Sequence, residues 1–329
     1  MCAVAEEVGN HLLPEPFIAA GVQIAALLRE VPQTDLQARL LKALGDGELI
    51  AALAWQEELG QLDAGTPTTQ VEVDQKHILL SGRKLFVAAA KADGWIVSAS
   101  AAAGTGIELY WVPKDTQGVN VENHARADGG MMATLVLDRA RLGRENRLAS
   151  GDLARRALDA ANDIARMAQS AELLGVARRA LWLALEYART RVQFGRPIGT
   201  FQSLQHRLVD AYIQTELCDA CIAAALADIE TSPEKLATLA SRVKARSTHA
   251  ALLTTRLAIQ IHGAMGFTDD CDVGLYFKRA LTLNAWLGNT TQHRRRHFLA
   301  QRAACAAWPL NTCPTTSPGC EFPSGTGGT

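Results

Sequence analysis

Arg189-Thr190-Arg191-Val192-Gln193-Phe194-Gly195-Arg196-Pro197-Ile198-Gly199-Thr200-Phe201-Gln202 is the stretch on which the reading of the whole chain turns. Its two glycines and its proline end a helix, and strong helical patterns flank it on both sides. Upstream, Arg155 to Arg189 is nearly uninterrupted and exceeds ordinary helix length. Downstream lie a second run from Leu204 to Ile229, a third from Ser232 to Ile261 and a fourth from Val273 to Leu287. Four long amphipathic segments with short connections predict an antiparallel bundle over 151–302.

Ahead of the bundle the texture changes. Val71-Glu72-Val73, Ile78-Leu79-Leu80, Trp95-Ile96-Val97, Glu108 to Val112 and Ala133 to Leu137 are short apolar or alternating runs. Ser81-Gly82, Pro113, Gly118 and Gly129-Gly130 punctuate them as turns, so 55–150 reads as a small, mainly antiparallel β domain. From Leu12 to Ala54 the pattern is helical, with Gly45-Asp46-Gly47 as a stop and restart, and 1–54 is expected to be a helical part. Beyond Arg302 the chain turns to Pro, Thr, Ser, Gly and Cys, so 303–329 is expected to be disordered. The fold class is α+β and mainly α.

Composition bounds the function. With 33 basic and 34 acidic residues the charge is balanced, which argues against nucleic-acid and membrane-surface partners. No apolar run approaches the roughly 18 residues a spanning helix needs. The start, Met1-Cys2-Ala3-Val4-Ala5-Glu6-Glu7, lacks the basic and apolar regions of a signal peptide, and a cytoplasmic location is the default. Seven cysteines are then expected to be free thiols. Cys218 and Cys221 form a C-x-x-C inside a helical pattern, with no second pair, and read as packing residues. Gly104-Thr105-Gly106 is no dinucleotide fingerprint, because Leu109 stands at the third glycine and no helix follows. The bundle has no Glu-x-x-His pair, so no metal site is expected.

The opening stretch resembles the acyl-CoA dehydrogenase signature R-x-Q-F-G-x-P-I-x-x-F-Q, directly after the first bundle helix. Gln260-Ile261-His262-Gly263-Ala264-Met265-Gly266-Phe267 is similar to the family's Q-x-x-G-G-x-G-[FY], with Ala264 at the usual second glycine. Gly82 to Val87, then Ala92-Asp93 and Ile96-Val97, resembles a β-domain segment of the same family. The order and separation fit over Glu6 to Arg302. The resemblance implies a family fold of reduced N-terminal helical part, middle β domain and C-terminal four-helix bundle. It also implies FAD as cofactor, extended so that its diphosphate and adenine reach a neighbouring subunit.

On that resemblance Arg191 is suited to the diphosphate, since guanidinium is permanently charged and binds phosphate in a fixed fork. Gln193, Phe194, Phe201 and Gln202 match positions contacting the adenosine part. Gln260, Gly263 and Ala264 match the loop that packs on a partner's cofactor. Thr290 and Gln292 match a cofactor-contacting pair near the end of the bundle.

The family removes the α-proton of an acyl-CoA thioester with a glutamate, and both positions known for it are empty here. Gly288 occupies one, in Trp286-Leu287-Gly288-Asn289-Thr290-Thr291-Gln292, and Ala165 the other, before Arg166. Glu172 lies seven residues after Ala165, about 10 Å along a helix, and reads as a solvated acid; Asp269, Asp270 and Asp272 read likewise. The segment that touches the flavin ring in relatives is also altered, with Gln56 at its Thr, Glu58 at its Pro and Phe86-Val87-Ala88 without a hydroxyl. His293-Arg294-Arg295-Arg296-His297 reads as a solvated C-terminal helix face. The expectation is a base-deficient subunit completing the FAD site of a larger acyl-CoA dehydrogenase subunit, with electron-transfer flavoprotein as acceptor. Alternatives are a homo-oligomeric flavoenzyme with an unrecognised base, or a non-catalytic paralogue that binds or scaffolds.

Overall fold

The structure is a computed structural model that describes residues 1–74, 77–89, 91–101 and 106–306, without the side chains of 303–306. Gly104-Thr105 and the 307–329 part of the expected tail lie outside the described residues. Residues 303–306, expected to belong to that tail, instead continue the last helix.

The N-terminal part is α1 (Cys2–His11), a π-helical turn Phe17–Gln23 running into α2 (Ile24–Glu30), and α3 (Asp35–Gly45). The Thr34 hydroxyl caps α3 by accepting from the Gln37 amide at 3.1 Å. Gly45-Asp46-Gly47 is a stop without a restart, because the chain passes directly into strand β1 (Ala51–Ala54). The apolar Leu49 and Ile50 had suggested continued helix, yet Asp93 accepts from the Ile50 amide at 3.0 Å and draws that segment to the sheet edge.

The middle region holds β2 (Gln70–Val73), β3 (His77–Ala88), β4 (Gly94–Ser100), β5 (Ile107–Pro113), β6 (Val119–Ala125), β7 (Met131–Gly143) and β8 (Arg147–Ser150). Among the described residues they form two four-stranded sheets, ordered β1-β4-β5-β8 and β2-β3-β7-β6. All pairs are antiparallel except β1 with β4. The first sheet is covered on both faces. Trp95, Val97, Tyr110 and Val112 pack towards the second sheet, while Ile96, Leu109 and Trp111 pack towards the helices. That is why β4 and β5 read as continuous apolar runs. Ser81-Gly82, expected to be a turn, is a bulge inside β3. A Cβ at Gly82 would stand 2.5 Å from the Thr69 hydroxyl, so glycine lets the backbones meet.

The bundle comprises α4 (Gly151–Thr190), α5 (Gln202–Thr231), α6 (Leu236–His262), α7 (Val273–Ala285) and a further helix, α8 (Thr290–Ala306). Between α4 and α5 sits a hairpin, β9 (Val192–Gln193) with β10 (Arg196–Pro197). The first half of α4 packs on the first sheet and α2, its second half on α5, α6 and α7. Helix α1 lies against α4 at backbone contact. A Cβ at Gly175 would fall 1.9 Å from the Glu6 carbonyl oxygen, and one at Gly9 would fall 2.0 Å from that of Glu172. Cys218 is buried beside Ser247 at 3.2 Å and packs in the core with Cys221 against it. No helix of the described residues is long and apolar enough to cross a membrane.

Candidate functional site: a cleft at one end of the bundle and an exposed face at the other

A cleft of about 560 Å³ opens between the β sandwich and the junction of α7 and α8, walled by Gln56, Phe86, Ala88, Arg126, Trp286 and Gly288. The junction is held from three sides. Arg166, 1% exposed, donates its Nε to the Leu287 carbonyl at 3.2 Å and is anchored by Asp163 at 2.6 Å. Its Nη2 donates to the Leu62 carbonyl. His293 donates from Nε2 to the Leu287 carbonyl at 2.9 Å. Burial, with Lys244 and Arg166 nearby, pushes its pKa down to about 2, so the ring is neutral. Gln292 and Asn289 cap α8 reciprocally, at 2.9 and 3.0 Å, and the Gln292 amide donates to the Gly60 carbonyl at 2.7 Å.

This clamp leaves no space for a side chain at Gly288, one of the two positions expected for the base. Leu287 has φ 59° and Gly288 φ 103°. A Cβ at Gly288 would stand 2.3 Å from Leu62 Cδ1 and 2.7 Å from His293 Nε2. The other position expected for the base, Ala165, is wholly buried in the core between α4 and the first sheet.

A second pocket of about 260 Å³ adjoins the cleft, sharing Ala88, Arg126 and Trp286 with it. Glu172 lines it. The expectation of a solvated acid is wrong here: α1 and the segment after it cover this turn of α4, leaving Glu172 4% exposed. Burial pushes its carboxyl up to about 7, against the pull of Arg279, Arg126 and Lys244. Its Oε1 stands 3.4 Å from Arg279 Nε. Asp128 in turn pairs with Arg279 at 3.1 Å and with Arg126 at 2.9 Å.

The reading of 293–297 as a solvated C-terminal face holds for Arg294 and Arg295, which are exposed, and is corrected for the rest. His293 is wholly buried, Arg296 pairs with Asp163 at 2.7 Å, and the segment sits in the first turns of α8.

The other expected residues gather elsewhere. The hairpin turn Phe194-Gly195 has φ 54° and 77°, as a two-residue hairpin turn requires. It holds Phe194 91% exposed, with Arg191, Gln193 and Gln202 also exposed. Phe201 is half-buried edge-on to Phe194 at 6.1 Å, with Arg196 over its ring at 4.3 Å. Gly263, at φ 62°, ends α6 and turns the chain so that Gln260 and Ala264 are exposed and Phe267 is 83% exposed. Tyr187 stacks on His262 at 4.2 Å and joins the two segments into one face. Arg191 makes no ion pair among the described residues.

The structure thus brings together Arg191, Gln193, Phe194, Phe201, Gln202, Gln260, Gly263 and Ala264, but not Thr290 and Gln292. Between the two groups α4 spans about 30 Å from Arg166 to Tyr187, by its rise per residue. The buried Glu57–Lys84 pair, at 2.6 Å beneath the cleft, was missed altogether. Nothing local in Trp55-Gln56-Glu57-Glu58 signals a partner on β3.

Comparison with known proteins agrees with this architecture. A family model for the acyl-CoA dehydrogenase C-terminal domain matches residues 155–302. An acyl-CoA dehydrogenase of Bacillus subtilis is 31% identical over 260 residues, covering 76% of this chain and 68% of that protein. The acyl-CoA dehydrogenase IpdE2 of Mycolicibacterium smegmatis is 38% identical over 134 residues, which are 41% of either chain. That alignment spans under half the length of the relative. The solved ChsE4-ChsE5 complex from Mycobacterium tuberculosis shares the fold at a TM-score of 0.81 and 26% identity, covering 94% of this chain and 80% of that chain. The chain belongs to the acyl-CoA dehydrogenase family.

Proposed function

We propose that this chain is the base-deficient subunit of a heteromeric acyl-CoA dehydrogenase, in which a larger partner carries the catalytic glutamate. The observation that carries the reading is the division of the site. The junction that elsewhere holds the base is sealed by Leu62 and His293 around Gly288. The residues matched to the far part of FAD lie exposed about 30 Å away along α4. Resemblance to a two-protein complex, ChsE4-ChsE5, supports the same reading.

The residues at the exposed face fit FAD. An exposed guanidinium at Arg191, the amides of Gln193 and Gln202 and the bare ring of Phe194 suit a diphosphate and an adenosine presented by a neighbour. The cleft fits less well, because Gln56 donates its amide to the Gln61 carbonyl at 3.0 Å and Gln292 is committed to Gly60 and Asn289. Bound there, FAD would supply a hydride acceptor for the β-carbon of an acyl-CoA thioester. Arg191 would orient the diphosphate, while Phe194 would cover the adjoining apolar surface and exclude water from it. Electron-transfer flavoprotein is the proposed acceptor of the electrons. Co-expression with a family member that retains its glutamate tests the reading: the two should co-purify with FAD, and this chain alone should not turn over acyl-CoA.

A further inference from the structure

Helix α5 is apolar on two faces. Leu208, Ala211, Thr215, Cys218, Ile222 and Ala225 recur every three or four residues and turn inward, all buried. Its flanks are tied to neighbours: Asp219 pairs with Arg178 of α4 at 2.7 Å, and Asp228 with Arg242 of α6 at 3.6 Å. The outward face carries Val209, Tyr212, Ile213 and Leu217, each 45% to 54% exposed. Ala220, Ala223, Ala224 and Ala227 follow, all exposed. Among the described residues nothing in this chain covers that face. The outer face of a surface helix is ordinarily polar, and monomers rarely leave so continuous an apolar stripe open.

We propose that this face is the contact between two copies of the chain, packed antiparallel about a two-fold axis at the level of Cys218. The stripe is self-complementary in that arrangement, as a two-fold contact requires. Its large residues fill the N-terminal half and its alanines the C-terminal half. Antiparallel packing sets Val209 against Ala227, Tyr212 against Ala223 and Ile213 against Ala224, so large side chains enter grooves left by small ones. A parallel pair would set large against large and leave alanines facing a gap.

Charge agrees. One end of α5 carries His206 and Arg207, the other Asp228 and Glu230, and each end meets its opposite in the partner copy. Arg207 and Glu230 make no ion pair among the described residues. The exposed acids within the span, Asp210 and Glu216, fall opposite Leu226 and Ala220 and not opposite each other. The contact stands independently of the base-deficient reading. Joined to it, the assembly holds two copies of this chain and leaves the hairpin face free for the larger partner.

The test is sedimentation equilibrium of the full chain and of variants on this face. The unmodified chain should be a dimer at micromolar concentration, with or without FAD. Ile213→Lys and Ala224→Glu should each raise the dissociation constant at least about 30-fold, as residues central to an interface do. Tm should not change, because both positions are exposed. They lie about 16 Å apart along one helix and cannot meet within a chain. The double variant, Ile213→Lys with Ala224→Glu, should therefore restore the dimer by pairing across the axis. Val209→Cys with Ala227→Cys should cross-link two copies on mild oxidation, beyond either single cysteine, and decides the matter if a charged variant does not fold. A monomeric unmodified chain, a dimer unmoved by both single variants, or a double variant no better than the singles overturns the inference. A chain that is monomeric alone and loses its glutamate-bearing partner in Ile213→Lys assigns the face to that partner and overturns it too. Each of these results leaves the base-deficient reading standing, since turnover tests that.

Discussion

Gly288→Glu places a glutamate where the family resemblance puts the base and should yield a destabilised, still inactive chain. Two costs add. A side chain at φ 103° occupies a sparsely populated region, worth roughly 1–3 kcal/mol. Its Cβ also meets Leu62 Cδ1 at 2.3 Å and His293 Nε2 at 2.7 Å. Leu62 can swing aside, but His293 is held to the Leu287 carbonyl at 2.9 Å. Breaking that buried bond costs about 1–3 kcal/mol more. The expected loss is about 4 kcal/mol, or roughly 8 °C in Tm for a chain of this size. Thermal and urea unfolding followed by circular dichroism measures it, and Leu62→Ala in the same background should recover part. A loss under about 1 kcal/mol would refute the reasoning, as would a gain of dehydrogenation by the single variant, since either would mean the loop accepts a side chain.

Other consequences follow from the same geometry. Phe194→Ala and Arg191→Ala should leave Tm unchanged, because both residues are exposed, yet weaken FAD retention by the assembled enzyme several-fold in a spin-column assay. Gly175→Ala should cost about 3 kcal/mol or more, since its new methyl would fall 1.9 Å from the Glu6 carbonyl on α1; urea unfolding reads it. Burial alone would raise the Glu57 pKa, but Lys84, Thr69 and Thr68 outweigh it and lower it from 4.5 to about 2. The stability it contributes is therefore fully present above pH 4.5 and lost as pH falls towards 2, visible as a falling Tm over that window. Lys84→Met removes one partner of this buried pair and should cost about 3–5 kcal/mol.

Sequence alone reveals elements wherever burial imposes a period or a continuous run. The four long bundle helices and the double-covered strands β4 and β5 are of that kind. Strand β6 escapes because nearly all its residues are exposed, so no alternation marks it. Gly82 was misread because a bulge and a turn use glycine for the same reason, backbone freedom and close approach. The exposed face is legible because Arg191, Phe194 and Gln260 stand clear of their own core. The cleft is not. Glu172, His293 and Glu57 owe their states to α1, α6 and β3, contacts that helix or strand periodicity does not encode. Gln292, expected to touch the cofactor, is engaged by Asn289 and by Gly60 across the domain boundary.

Whether this chain is a partner-dependent half of a flavoenzyme is tested most directly by anaerobic acyl-CoA titration of its flavin spectrum, once for the purified chain with FAD and once for the complex with a glutamate-bearing partner. Bleaching of the flavin should occur in the complex and not in the chain alone, and a glutamate-to-glutamine change in the partner should abolish it. Bleaching by the chain alone would contradict the proposal and direct the search for a base to Glu172.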